Sequence, residues 1–154
     1  MNFKLLVVGK SNDKRLEEMV SEYAKKLNHY INYNTVELHV KKKISDTKKL
    51  KEIESQLILN HINANSILIV LDEKGSQFTS VKFSAFVQKR LNEGSKEVIF
   101  LIGGAFGFSE SIYKRANHCM ALSKMTFTHQ MVRLVFIEQL YRAFTILKGE
   151  KYHH

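Results

Sequence analysis

Two short runs of the chain are apolar throughout, and they limit the folds that it can adopt. Residues 66–71 (SILIVL) and 98–102 (VIFLI) contain no charged side chain. A strand with one solvated face alternates apolar and polar residues, whereas a strand covered on both faces is apolar along its length. Helical patterns precede and follow both runs. We therefore predict a mainly parallel, doubly wound α/β sheet with helices on both faces.

The rest of the chain continues this alternation. Three further strands are predicted, over residues 3–9, 35–40 and 119–122. The remaining patterns indicate helices, whose expected first residues or caps are Asp13, Asp46, Thr79 or Ser80, Ser109 and Thr128. No linker or repeat interrupts the pattern, and 154 residues with 44% hydrophobic content can bury one sizeable core. The sequence thus predicts a single domain over residues 1–154.

The chain is strongly basic, with a formal net charge of +9. Such a charge favours a polyanionic partner, although it does not identify one. Six lysines surround a single aspartate, Asp46, between a predicted strand and helix: Lys41, Lys42, Lys43, Lys48, Lys49 and Lys51. Two interpretations stay open for this lysine cluster, a solvated loop and a rim that contacts phosphates.

Several classes of protein are not supported by the sequence. The longest apolar stretch has about ten residues, far short of the ~20 that a membrane helix needs. The amino-terminal apolar run is too short for a signal peptide. Cys119 is the only cysteine, so no disulfide can form within the chain, as is usual in a reducing cytoplasm. No HExxH or CxxC motif is present, and we expect neither a metal site nor a membrane segment in a cytoplasmic protein.

The run at residues 98–102 ends in a loop with glycines at 103, 104 and 107. This spacing is not the GxGxxG of dinucleotide-binding proteins. Glycines at the carboxyl end of a parallel strand nevertheless let the backbone approach a ligand closely. His129, at the first turn of the last helix, is expected to face the same cleft. Arg133, Glu138 and Arg142 are polar exceptions in that otherwise apolar helix, so they are expected to be paired or to face a ligand.

Five motifs together resemble one known family: LDEKG (71–75), FLIGGAFGF (100–108), ALSKMTFTHQMVR (121–133), EQLYRAF (138–144) and GEKYHH (149–154). They are similar to those of the RlmH family of SPOUT-class methyltransferases, and the resemblance covers the whole chain. It implies transfer of a methyl group from S-adenosylmethionine to N3 of a pseudouridine in 23S ribosomal RNA of the large subunit. It also implies a deep C-terminal trefoil knot and a homodimer packed through the last helix.

The resemblance further implies roles for individual residues. The cofactor contacts implied are Leu71, Gly103, Leu122, Ser123, Lys124, Met125, Thr126 and Phe127. The substrate contacts implied are Arg133, Tyr152 and His153. His129 and Arg142 are the candidates for a catalytic role. Tyr152 and His153 lie beyond Gly149, so we expect the RNA site, rather than the packing of the core, to need them.

Two other functions remain open from the sequence. A SPOUT methyltransferase acting on transfer RNA would use the same cofactor chemistry. A non-catalytic module could use the lysines to recognise the shape of RNA. Binding of S-adenosylmethionine separates the second alternative from both enzymes, because a binding module has no need of a methyl donor.

Overall fold

The computed structural model describes all residues, Met1 to His154. Strands and helices alternate along the chain, as the sequence predicts. Their bounds are β1 (Asn2–Val8), α1 (Lys14–Leu27), β2 (Asn32–Leu38), α2 (Thr47–Leu59), β3 (Ile67–Gln77), α3 (Ser80–Asn92), β4 (Glu97–Ile102), α4 (Glu110–Arg115), β5 (His118–Ala121) and α5 (His129–Leu147).

The five strands form one sheet in the order β2–β1–β4–β3–β5, and every pair of neighbours is parallel. The predicted parallel α/β sheet is therefore confirmed. The two apolar runs lie in β3 and β4, next to each other in the interior of the sheet, whereas β2, in which only Tyr33 and Leu38 are buried, is an edge strand. The chain reverses its direction of winding between β1 and β4, which is the position where open α/β sheets bind ligands.

The core has two layers, one on each face of the sheet. Alternate residues of β1 point to opposite faces, so Phe3, Leu5 and Val7 join α1, α3 and α5, while Leu6 and Val8 join α2 and α4. Helix α5 packs between α1 and α3 on the first face. No helix has both the length and the apolar character needed to cross a membrane.

Side-chain caps fix the starts of four helices. Asp13, Asp46, Thr79 and Thr128 each accept a hydrogen bond from a backbone N–H in the first turn that follows. Ser109 precedes α4 but makes no such bond. Its hydroxyl group instead pairs with those of Ser55 and Ser111, which ties α4 to α2.

Strand β3 is longer than the sequence predicts. The apolar run stops at Leu71, but the strand continues to Gln77 and pairs with β5 again beyond an irregularity between Leu71 and Ser76. Gly75 makes this second pairing possible, because a Cβ atom there would lie 2.5 Å from the carbonyl carbon of Met120. The polar residues of this extension are typical of a loop, so periodicity alone did not reveal it.

Candidate functional site

A cavity of about 250 Å³ lies at the carboxyl ends of β3, β4 and β5. Three segments build it: residues 71–73 of β3, where its apolar run stops, the glycine loop after β4, and the residues between β5 and α5. We call it the strand-end cavity. Its walls are formed by Leu71, Asp72, Glu73, Ile102, Gly103, Gly104, Ala105, Gly107, Phe108, Leu122, Ser123, Met125, Thr126, Phe127, His129 and Val132.

The glycine loop is shaped by close contacts that a larger side chain would prevent. A Cβ atom on Gly103 would lie 2.8 Å from the ring of Phe108, which is itself buried. That ring and the ring of Tyr113 make a T-shaped contact at a centroid distance of 5.8 Å. Gly107 has a φ angle of +76°, in the left-handed region that favours glycine. The absence of a side chain at 103 therefore allows Phe108 to form part of the cavity wall.

The segment after β5 offers its backbone to the cavity. Among the backbone groups of residues 123–127, only the amide of Met125 forms a hydrogen bond, to Oγ of Ser123. The other backbone donors and acceptors of this segment are free. Unpaired backbone groups beside a cavity are available to a ligand, and they suit the polar edge of a heterocyclic base.

Two carboxylates lie at the rim of the strand-end cavity. Asp72 accepts hydrogen bonds from the backbone of Lys74 at 2.8 Å and from the hydroxyl of Tyr113 at 2.5 Å. Glu73 accepts one from the hydroxyl of Thr126 at 2.9 Å, which joins the β3 extension to the segment after β5. These acids give the rim negative charge, which favours a positively charged group in the ligand.

A second cavity, of about 560 Å³, lies beside the first at the carboxyl ends of β1 and β2. Gly104, Ala105 and His129 line both cavities, so they form the boundary between them. We call the second cavity the basic cleft. Its other walls are formed by Val8, Gly9, Lys10, Asn12, His39, Val40, Lys42, Lys43, Ile44, Leu50, Glu54 and Gln130. The concentration of lysines favours an anionic ligand.

His129 is tightly enclosed at this boundary. Its Nε2 atom is buried and has no hydrogen-bond partner, and a Cβ atom on Gly9 would lie 2.9 Å from it. Burial lowers the pKa of His129 below its ordinary value, and the positive charge of Arg133 lowers it further. The imidazole is therefore neutral at physiological pH, and burial is the main cause.

Arg133 is buried and holds the loop after β1. Its Nη1 donates to Glu37 at 2.5 Å and its Nη2 to the carbonyl oxygen of Gly9 at 2.9 Å. Gln130 attaches the same loop, because its amide group bonds the backbone of Lys10 and of Asn12. With only 4% of its surface exposed, Arg133 positions one wall of the basic cleft and is not open to an RNA strand.

The C-terminal residues pack against α1 and α5. The Tyr152 hydroxyl lies 3.0 Å from that of Tyr23 and donates to Glu138 Oε1 at 3.0 Å. The guanidinium of Arg142 lies 4.6 Å from the centre of the Tyr152 ring. Glu138 accepts from Arg142 as well, and this hydrogen bond raises the pKa of the guanidinium, so Arg142 acts only as a cation. The expectation that packing does not use Tyr152 is therefore wrong.

We call the group formed by Tyr23, Glu138, Arg142 and Tyr152 the C-terminal cluster. It lies at the opposite end of α5 from the two cavities. Thirteen residues separate His129 from Arg142 along this helix, which is about 20 Å at 1.5 Å per residue. His153 joins the cluster through a contact of 3.4 Å between its Nδ1 and the Nη1 of Arg142. Within one chain, Arg142, Tyr152 and His153 are thus remote from the strand-end cavity.

Comparison with known proteins identifies the family. The family model described as a predicted SPOUT methyltransferase matches residues 1–153 of the chain. The chain belongs to the SPOUT methyltransferase family. It is 49% identical to proteins named ribosomal RNA large subunit methyltransferase H from Christiangramia forsetii and from Cytophaga hutchinsonii, and the matches cover 100% of this chain and 99% and 100% of those proteins. The protein of that name from Clostridium acetobutylicum is 42% identical, with 99% of both chains covered.

In this SPOUT methyltransferase, the strand-end cavity gathers seven of the eight residues for which the resemblance implied a cofactor contact. Lys124 is the exception, since it is exposed and does not line the cavity. His129 is at the boundary of the two cavities, whereas Arg133, Arg142, Tyr152 and His153 lie elsewhere.

Other residues near the cavities were missed from the sequence of this SPOUT protein, namely Lys10, His39 and Glu54. Each is a single polar residue on a separate element, and nothing in the local sequence indicates that they meet.

His118 and Cys119 behave as expected of adjacent strand residues, because His118 contacts Phe86 on one face and Cys119 packs on the other. No His, Cys, Asp and Glu side chains form a group of three that could hold a metal ion.

Proposed function

We propose that the chain methylates N3 of a pseudouridine in 23S ribosomal RNA of the large subunit or the assembled ribosome, with S-adenosylmethionine as methyl donor. One observation carries the proposal: a cavity with free backbone groups directly adjoins a cleft rich in lysine, in a member of a methyltransferase family. The names of the relatives support ribosomal RNA as the substrate. The proposal puts the protein in the cytoplasm, where ribosomes are found.

The lining of the strand-end cavity fits this donor. Leu71, Ile102 and Leu122 provide apolar surface for the faces of an adenine ring, and the free backbone groups of residues 123–127 suit its polar edge. Asp72 and Glu73 are placed to favour a positive sulfonium. When bound, the donor supplies a methyl group on positively charged sulfur. We therefore assign the contacts to Leu71, Gly103, Leu122, Ser123, Met125, Thr126 and Phe127, and assign no donor contact to Lys124, which is exposed outside the cavity.

The basic cleft is the proposed binding site of the target nucleotide. Lys10, Lys42 and Lys43 are positioned to neutralise RNA phosphates, which contributes affinity without sequence specificity. His129 stands at the boundary between the basic cleft and the strand-end cavity in its neutral form, so it shapes both walls without adding charge there. Because orientation can supply much of the rate acceleration, holding the base against the donor is the main task of the chain.

A homodimer is part of the proposal, because the C-terminal cluster is remote from the cavities in one chain. Exposed apolar side chains lie beside the strand-end cavity, among them Met125 and Met131. Val135 is half-exposed on the next turn of α5. A partner packed on this surface would cover them. It would also bring Arg142, Tyr152 and His153 of the partner subunit toward the basic cleft, where cationic and aromatic groups suit RNA.

We further propose that residues 1–154 form one domain whose C-terminal part is threaded as a trefoil knot. The order of the strands supports threading, since β5 follows β4 in the chain but pairs with β3. The contact of Gly75 with the backbone of Met120 supports a tight passage at this point. A threaded chain would hold the glycine loop and residues 122–127 rigidly against each other, which suits a bent donor.

The test is methyl transfer in vitro. Purified protein is incubated with labelled S-adenosylmethionine and ribosomes from a strain that lacks the enzyme, and the ribosomal RNA is digested and analysed by mass spectrometry. We expect label in a methylated pseudouridine of 23S RNA. Label in transfer RNA instead would favour the other SPOUT activity. Absence of S-adenosylmethionine binding by calorimetry would favour a non-catalytic RNA-binding module.

A further inference from the structure

Glu54 has a position that the packing of the fold does not require. It is half-buried on α2, lines the basic cleft, and forms no hydrogen bond or ion pair within the chain. Partial burial removes some of the hydration of the Glu54 carboxylate, and no other group of the chain replaces it. An unpaired carboxylate that faces a cleft is thus available to a ligand.

The carboxylate lies at the boundary between the two cavities. A Cβ atom on Gly104 would be 2.9 Å from both Oε1 and Oε2 of Glu54, and Gly104 lines the basic cleft and the strand-end cavity alike. The missing side chain at 104 leaves the space that the carboxylate occupies. Glu54 is therefore next to the place where a base in the cleft meets a donor in the strand-end cavity.

We propose that Glu54 is a catalytic residue that accepts the N3 proton of the target base. The inference rests on the proposed function. The imide nitrogen must lose its proton as the N–CH3 bond forms; the S–CH3 bond of the sulfonium donor breaks, and its electron pair stays on sulfur. The proton moves to a carboxylate oxygen of Glu54 and then to water, so the charges balance.

The surroundings of Glu54 suit this role. Burial raises the pKa of the Glu54 carboxyl above its ordinary value, which makes it a stronger base than an exposed glutamate. The other charged or titratable groups that line the cleft are Lys10 after β1, His39, Lys42 and Lys43 after β2, and His129 on α5. The lysines are placed to bind phosphate, and neutral His129 is enclosed with its Nε2 buried, which leaves Glu54 as the open acceptor.

The test compares Glu54→Gln with Glu52→Gln. Glu52 is on the same helix but exposed and outside the basic cleft, so its variant has the same change in charge and serves as the control. We expect Glu54→Gln to lower kcat for ribosome methylation by about 100-fold or more, as removal of a general base does. S-adenosylmethionine affinity by calorimetry and ribosome binding by co-sedimentation should stay within about threefold, and the control should behave as wild type.

The pH profile separates catalysis from a structural role. The wild-type rate should fall as the pH decreases through the raised pKa of Glu54, and this limb should be absent from the residual activity of Glu54→Gln. Near-normal kcat in that variant, or an unchanged limb, would overturn the assignment. If the wild-type protein transfers no methyl group to ribosomes, the proposed function fails. If the wild-type protein is active and Glu54→Gln is equally active, the proposed function stands and only the assignment of Glu54 fails.

Discussion

Single residues at the site combine tight packing with unpaired polar groups. His129 is the clearest case, with a buried Nε2 that has no partner and Gly9 in close contact. Glu54 is the other, at the same boundary. A fold gains no stability from such groups, because each loses hydration that no internal hydrogen bond replaces. The position of Glu54, which is the one of the two that the basic cleft leaves open, is therefore better explained by ligand binding than by packing.

The burial of His129 predicts a dependence of stability on pH. Its pKa is lowered in the fold, so just below the ordinary value of 6.5 the unfolded chain binds a proton that the folded chain does not. Unfolding free energy should therefore decrease as the pH is lowered from 7.5 to 5.5. We expect a smaller decrease in His129→Asn, measured by urea denaturation at both values. The pKa of His118 is lowered too, but it contributes equally to both proteins, so equal slopes would contradict the prediction.

Gly103 predicts a second effect at the residue scale. In Gly103→Ala the new methyl group would meet the ring of Phe108, a buried residue that lines the strand-end cavity and would have to shift there. Overpacking of this kind costs about 1–3 kcal/mol. We expect S-adenosylmethionine affinity to fall about tenfold or more by calorimetry, since 1.4 kcal/mol corresponds to a factor of ten.

Phe108→Leu provides the control for Gly103→Ala. The smaller side chain leaves room for the methyl group, so the double variant should regain most of the affinity lost in the single one. If the double variant binds as weakly as Gly103→Ala, the contact with Phe108 is not the cause, and the glycine is needed for direct contact with the donor.

At the scale of elements, periodicity and caps predicted most of the fold. The caps at Asp13, Asp46 and Thr128 were recognisable because a short polar side chain precedes an apolar periodic run. The extension of β3 was not recognisable from the sequence. Its polar residues pair with β5 through a contact at Gly75 that depends on the tertiary structure. The position of Glu54 was hidden for a related reason, since it is one of several charged residues on an amphipathic helix.

The C-terminal segment shows the limit of reading a terminus from sequence. Gly149 follows the end of α5 with a φ angle of +67°, and the next residues turn back onto the helix. Tyr30 donates to Glu150 at 2.7 Å, and Tyr152 lies among Tyr23, Tyr141 and Glu138. Aromatic residues near a chain end can bind RNA or complete a core, and the composition of the segment does not distinguish the two.

Truncation after Gly149 should therefore lower stability as well as activity. It removes the hydroxyl and ring contacts of Tyr152 and the acceptor of Tyr30, so we expect about 1–3 kcal/mol less unfolding free energy in denaturant titrations. Tyr152→Phe is the matched variant, because it keeps the ring and should lose only about 1 kcal/mol. Unchanged stability on truncation would show that these contacts are not formed in solution.

At the scale of the whole molecule, the distance along α5 decides how the site is completed. About 20 Å separate His129 from Arg142 within one chain, too far for both to touch one nucleotide. A two-fold dimer packed through α5 is expected to reduce this distance by pairing the first half of one helix with the second half of the other. The proposed dimer is then a condition for activity, and a folded monomer at micromolar concentration in sedimentation would count against it.

Mixed dimers test this arrangement directly. One subunit carries Gly103→Val, which blocks its strand-end cavity, and the other subunit is truncated after Gly149. Each homodimer should be inactive, because it lacks either both cavities or both C-terminal segments. If the segment acts on the cavity of the partner subunit, the mixed dimer contains one complete site, made of the intact cavity of the truncated subunit and the intact segment of the other.

The mixed dimer, purified by two different affinity tags after co-expression, should have about half of the wild-type methylation activity, because one of its two sites is complete. Both variants must first be shown to form dimers and to bind S-adenosylmethionine as expected, the truncated one normally and Gly103→Val weakly. A mixed dimer without activity would mean that each segment serves its own chain, which would require Tyr152 to leave Glu138 and Tyr23 and the segment to cross about 20 Å of α5. That movement would break the hydrogen bonds that hold the segment in place, so completion of the site by the partner subunit is the arrangement that leaves the fold intact.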